Sequence, residues 1–226
     1  MKEAIFIKRI SRFIVECELN KEKITAHLPN PGRLWELLIP GRKIYLKETK
    51  NRLNYRVFGI EKNKYFICLD THYTNILVKK FIQQGTIREL KGYTIKKEEF
   101  KIGNSKIDFL LQKNKELLPL EVKSCTLFND GIAMFPDAIT ERGKKHLEIL
   151  EKNNGAIIFL VYCPDIRYFL PEFHIDPLFS EKLYRIKDKI LIKAISVKWI
   201  KNEEFKFVKD IEIPWEIYEK EGKDEG

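Results

Sequence analysis

The hydrophobic period of this chain changes abruptly near Thr71, and that change restricts the fold more than any other feature. Before it, apolar and polar residues alternate in six short runs, Ala4–Ile10, Arg12–Leu19, Lys23–Leu28, Lys43–Glu48, Tyr55–Ile60 and Tyr65–Leu69, separated by turn residues. A period of two puts alternate side chains on one face of a strand, so each run buries half of itself and leaves the other half in water. Short strands at this spacing predict a small antiparallel barrel. Between the third and fourth runs, Pro29–Gly41 has turn residues at both ends and Leu34, Trp35, Leu37 and Leu38 between them, which predicts one helical turn. Five strands with a short helix between two of them suggest an OB-like barrel, a fold that holds single strands or oligosaccharides.

From Thr71 to Gln84 the period becomes helical, with Ile76, Leu77, Lys80 and Phe81 on one face and Gly85 as a stop. The domain boundary is expected here, giving domains 1–84 and 85–226. Strand-like runs Tyr93–Phe100, Lys106–Leu111 and Leu117–Cys125 follow, separated by turns at Gly103-Asn104 and Gln112–Lys115. Pro136 is expected to open a helix whose first turn Asp137 makes negative, with Ile139, His146, Leu147 and Leu150 at helical spacing. Ala156–Cys163 contains no charge and reads as a central strand buried on both faces. Asp176-Pro177 opens another helix, and Ile190–Ile200 reads as a strand, so the second domain is an α/β sandwich. Two roles are open for the tail from Asn202: capping the sheet, or contacting a second subunit in a homo-oligomer.

The net charge of +9 is distributed unevenly: residues 1–90 hold 18 Lys+Arg against 9 Asp+Glu, and residues 91–226 hold 24 of each. A basic first domain suits a polyanionic partner, although solubility alone also explains a basic surface. Arg9, Arg12, Arg33, Arg42, Lys43, Arg52 and Arg56 are the candidate backbone contacts, and Trp35, Tyr45 and Tyr55 the candidate stacking surfaces. No apolar run approaches the roughly 20 residues of a membrane span, and the first residues alternate where a signal peptide has a continuous apolar core, so a cytoplasmic protein with no membrane partner is expected. Cys17, Cys68, Cys125 and Cys163 are widely spaced inside apolar runs and read as reduced, buried thiols.

The chemistry concentrates in the second domain. Asp108 lies in an otherwise apolar strand, and Glu121 and Lys123 flank Val122 at strand period, so both project from one face. Two neighbouring carboxylates repel unless a cation lies between them, and a divalent metal that removes the repulsion also activates water. A lysine beside them stabilises charge developing on phosphorus. Hard oxygen ligands with a cation nearby are the chemistry of phosphodiester hydrolysis with Mg2+ or Mn2+.

Asp108 followed thirteen positions later by Glu121-Val122-Lys123 resembles the core motif of the PD-(D/E)XK nucleases. Together with Ala26-His27-Leu28-Pro29-Asn30-Pro31-Gly32-Arg33-Leu34, the stretch Glu121–Leu127 and the stretch Phe135–Leu147, it resembles the sugar fermentation stimulation protein A family. The resemblance implies an OB-like domain, a PD-(D/E)XK nuclease-like α/β domain and a DNA-binding role. Carried over residue by residue, it makes Asp108 and Glu121 metal ligands and Lys123 the catalytic lysine. Glu89, with Glu99 behind it, is the candidate for a supporting carboxylate. Arg12, His27, Asn30, Arg33, Arg142 and Lys145 are candidate DNA contacts, with Asp137, Thr140 and His146 in support. The alternative reading is a non-catalytic DNA-binding regulator of sugar metabolism genes on a nuclease-like scaffold.

Overall fold

The computed structural model describes residues 1–218. Its first sheet contains β1 (Lys2–Ser11), β2 (Ile14–Leu19), β3 (Glu22–His27), β4 (Lys43–Glu48), β5 (Tyr55–Lys62) and β6 (Tyr65–Cys68), in the order β3-β2-β1-β4-β5-β6. A pairing of His27 in β3 with Arg56 in β5 closes the first five strands into the OB barrel. Alternation supplies the core: Val15 and Cys17 of β2 and Ile44 and Leu46 of β4 are fully enclosed. Register shifts in β1 and between β4 and β5 bend the strands as closure requires. Between β3 and β4, the amides of Leu37 and Leu38 both donate to the Leu34 carbonyl, forming the expected helical turn. Gly59 of β5 is required by close approach, since a Cβ there would lie 2.3 Å from the Phe66 ring and 2.7 Å from the Ile67 carbonyl oxygen.

Helix α1 (Thr71–Gln83) starts where Asp70 accepts the His72 amide at 3.1 Å. The same carboxylate receives both arms of Arg56, at 2.9 and 2.7 Å, tying the helix to the barrel. Its buried face is Thr74, Leu77, Val78, Phe81 and Ile82, which corrects the expected face; Ile76 is exposed. Thr74 can turn inward because its hydroxyl meets the Tyr162 hydroxyl at 2.8 Å. The helix packs on the second sheet as well as on β6.

The second sheet contains β7 (Thr94–Ile102), β8 (Ser105–Lys113) and β9 (Glu116–Cys125) as an antiparallel meander. After β10 (Leu127–Asn129), β11 (Ile132–Phe135) and α2 (Glu141–Lys152), strand β12 (Ala156–Val161) adds parallel to β9. It is enclosed along all six residues, as its uncharged sequence predicts. β13 (Tyr168–Pro171) joins β10 and β11 in a separate small sheet; α3 (Pro177–Arg185), β14 (Leu191–Lys201) and β15 (Glu204–Ile211) complete the chain of elements. The large sheet runs β15-β14-β12-β9-β8-β7. Helix α2 begins at Glu141, five residues after Pro136, because the Thr140 hydroxyl caps the Gly143 amide at 3.0 Å. Pro136 follows β11 across a cis peptide bond, and Asp137 is a loop residue, four positions ahead of the helix.

The two domains share one continuous hydrophobic core. At the joint, Phe66 of β6 stacks on Trp199 of β14 with ring centroids 4.7 Å apart. Of the tail, Glu204–Ile211 pairs as β15 along β14 at the sheet edge; residues 219–226 lie outside the described residues. All four cysteines are free and buried, and burial pushes the Cys68 thiol up to about 12. Among the described residues, no helix is long and apolar enough to cross a membrane.

Candidate active site

The regular pairing of β8 with β9 stops at Phe109 and Leu120, and the next residues outward are Asp108 and Glu121. There the Asp108 side chain takes over from the backbone: one oxygen accepts the Val122 amide at 2.8 Å, and the other accepts the Asn75 side-chain amide of α1 at 2.8 Å. Glu121 and Lys123, two residues apart, share a face, and the Lys123 ammonium donates to Glu121 Oε1 at 2.6 Å. His146 Nδ1 meets the same oxygen at 2.6 Å, and Arg142 Nε donates to His146 Nε2 at 3.3 Å. A guanidinium can only donate, so Nε2 accepts and the proton resides on Nδ1, directed at Glu121.

These partners divide the two carboxylates. Burial opposes ionisation of Glu121, but the Lys123 charge and the His146 hydrogen bond outweigh it and hold the group down at about 2. Burial, reinforced by the Glu121 charge, pushes Asp108 up to about 6. One carboxylate is thus fixed as an anion, and the second is raised by its neighbour. Glu121 Oε2 is buried and has no hydrogen-bond partner, as is the hydroxyl of Ser124. An orphaned anionic oxygen beside a second carboxylate fits a hard divalent cation, which satisfies both without a proton. Among the described residues, no group of three or more His, Cys, Asp or Glu side chains is placed to hold a metal ion, so the protein ligands here number two. A cation held here would keep open positions for water and substrate, as magnesium sites ordinarily do.

The site opens into a cleft of about 420 Å³ between the domains, with Arg12 and Asn30 on the barrel side and Lys123 and Arg142 on the other. The barrel loop is held against the second domain at Gly32, where a Cβ would come within 2.5 Å of the Asp137 carboxylate. That carboxylate accepts the Leu34 amide at 3.4 Å, and burial raises its pKa.

A family model described as the sugar fermentation stimulation protein RE domain matches residues 72–203, and one described as the SfsA N-terminal OB domain matches residues 7–69. The chain belongs to the SfsA family. Among its SfsA relatives, the sugar fermentation stimulation protein homolog of Thermoanaerobacter sp. (strain X514) is 40% identical over 215 residues, spanning 91% of this chain and 93% of the relative. The homolog of Saccharolobus solfataricus is 41% identical over 204 residues, spanning 86% and 79%. A solved structure, that of Pyrococcus furiosus SfsA in complex with Ca2+, is similar at a TM-score of 0.88 and 27% identity, over 94% of this chain and 95% of that one.

In this SfsA protein the cleft gathers Asp108, Glu121 and Lys123 with Arg12, Asn30, Asp137, Thr140 and Arg142. His146 lies beneath it, fully buried against Glu121. Asn30 forms the turn itself, its side-chain oxygen accepting the Gly32 amide at 2.9 Å. Glu89 is elsewhere, paired with Lys193 at 2.9 Å, whereas Glu99, paired with Lys106, stands at the cleft edge. His27 faces Phe13 in the barrel, and Lys145 is exposed on α2 outside the cleft lining. Several barrel cations are structural: Arg9 binds the carbonyls of Gly32 and Arg33, Arg42 those of Glu36 and Leu37, and Arg56 the Asp70 carboxylate. Sequence reasoning missed Asn75 and His72, which α1 delivers to the cleft. Their signal was present: Thr71, His72 and Asn75 are polar at i, i+1 and i+4 on a helix that immediately precedes the acid strand.

Proposed function

We propose that this protein is a divalent-metal-dependent phosphodiesterase acting on DNA, with Mg2+ or Mn2+ held by Asp108 and Glu121. The observation that carries the reading is the buried, unpartnered Oε2 of Glu121 beside Asp108 at the floor of a cleft that also holds Arg12, Lys123 and Arg142. The calcium complex of the Pyrococcus furiosus relative supports it, as Ca2+ is a hard cation of the same donor preference. When bound, the cation supplies Lewis-acid polarisation of a phosphate oxygen and a water of lowered pKa.

The chain's own residues do the rest. Lys123 keeps Glu121 ionised and places a positive charge at the cleft floor, where charge develops on phosphorus. His146 fixes the Glu121 carboxylate from beneath, and Arg142 fixes the His146 tautomer. Arg12 and Arg142 offer cationic contacts for phosphates on opposite walls.

The test is cleavage of single-stranded, duplex and branched DNA in magnesium or manganese by wild type, Asp108→Ala and Glu121→Ala. Metal-dependent cleavage that both variants lose is the expected result. Binding of DNA without cleavage by the wild type under any of these conditions overturns the enzymatic reading and leaves a binding protein.

A further inference from the structure

Trp35 is the most exposed large apolar side chain among the described residues, at 75%, whereas Trp199 and Trp215 pack against the core. Exposed indole serves no packing purpose, yet the turn that carries it is held firmly on both sides. Arg9 donates to the Gly32 and Arg33 carbonyls at 2.7 and 2.9 Å, and the Leu34 amide reaches Asp137 at 3.4 Å. One residue beyond Trp35, Glu36 accepts the Phe128 amide at 3.3 Å and pairs with Lys62 at 2.7 Å. The ring is thus presented on a loop clamped between the domains, and little ordering remains to be done when something binds to it.

Trp35 forms one wall of a pocket of about 260 Å³ whose other apolar walls are Leu34, Leu127 and Ile175. This pocket and the cleft share Thr126 and Asp137 as a common partition. The guanidinium of Arg33 lies 5.2 Å from the centre of the Trp35 ring, and Arg12 lines the adjoining cleft. Aromatic face, apolar slot and flanking guanidinium groups, continuous with a cleft suited to phosphate, match a nucleotide unit: a base for the slot and its backbone for the arginines.

We propose that Trp35 and its pocket form a subsite for one unpaired nucleobase of the strand whose backbone enters the cleft. The inference rests on the DNA reading above and narrows its substrate to single-stranded or locally unpaired DNA, because a base stacked inside a duplex has no free face to offer.

The test uses fluorescence anisotropy in EDTA, which prevents cleavage, with a labelled single-stranded thymidine oligonucleotide and an abasic oligonucleotide of equal length. Trp35→Ala is expected to weaken binding of the thymidine strand by roughly tenfold, within the range that base–aromatic stacking covers. Trp35→Phe should recover most of that loss, and neither variant should change binding of the abasic strand. Wild-type affinity of Trp35→Ala for the thymidine strand overturns the subsite. So does an equal loss on both strands, which points to backbone contact or a disturbed loop. Binding of neither strand by the wild type overturns the subsite together with the DNA reading, while Trp35-dependent binding without any metal-dependent cleavage sustains the subsite and removes only the enzymatic reading.

Discussion

Asp108→Asn is expected to abolish hydrolysis and, in the absence of metal, to make the protein more stable above pH 6. The substitution keeps shape and hydrogen bonds: the new side-chain oxygen accepts the Val122 amide, and the new amide donates to Asn75 once that side chain turns over. What it removes is a carboxylate next to ionised Glu121. Asp108 is raised from 3.8 to about 6, so the folded state holds its proton more tightly than the unfolded chain does. The stabilisation this represents is complete below pH 3.8 and is lost as pH rises through about 6, amounting to on the order of 2–3 kcal/mol. Wild type should therefore lose stability across that interval by urea unfolding in EDTA, and the variant should lose much less. Magnesium should raise the melting temperature of wild type at pH 8 and leave the variant unmoved, since a ligand stabilises only the state that binds it. Loss of hydrolysis should be roughly 100-fold or more, as even partners one step removed from a metal typically cost 10–100-fold. An Asp108→Asn protein that is no more stable than wild type at pH 8, or that still gains from magnesium, contradicts the assignment of the pair.

The contrast between what the sequence made legible and what it hid follows from the range of the forces involved. The barrel strands were readable because each carries its own alternation, and β12 because its neighbours on both faces forbid charge. The side-by-side placement of Glu121 and Lys123 was readable because strand period alone puts both on one face. The start of α2 was misplaced because Pro136 suits a helix start but equally suits a loop, and the Thr140 cap decides the matter locally. The small sheet of β10, β11 and β13 was missed because runs of three and four residues carry no detectable period. The roles of Arg9, Arg42 and Arg56 lay out of reach for another reason. Their carbonyl and carboxylate partners are set by loop geometry, and a guanidinium bound to a backbone carbonyl has the same sequence as one waiting for a phosphate.

The tail from Asn202 was the segment hardest to place, and one of its residues should be among the most costly to remove. Phe205 is the second residue of β15 and is 2% exposed. Its ring lies 5.9 Å from Phe66 of the barrel, 6.1 Å from Tyr73 of α1 and 5.3 Å from Tyr162, which follows β12. It therefore fills the point where both domains and the connecting helix meet, next to Glu203, whose carbonyl accepts the Tyr73 hydroxyl and whose carboxylate pairs with Lys47 at 2.7 Å. Phe205→Ala should cost about 3–5 kcal/mol, because the surrounding rings belong to separate elements and cannot collapse together into the space. For a chain of this size that is a fall of roughly 6–20 °C in melting temperature. Val208→Ala, at a half-exposed position on the same strand, should change stability by no more than about 0.5 kcal/mol. Comparable effects at the two positions would remove Phe205 from the joint. The shape of the transition carries the further information: wild type, with its single core, should melt in one step, and a Phe205→Ala protein that melts in two would show that this ring is what couples the basic barrel to the domain bearing Asp108 and Glu121.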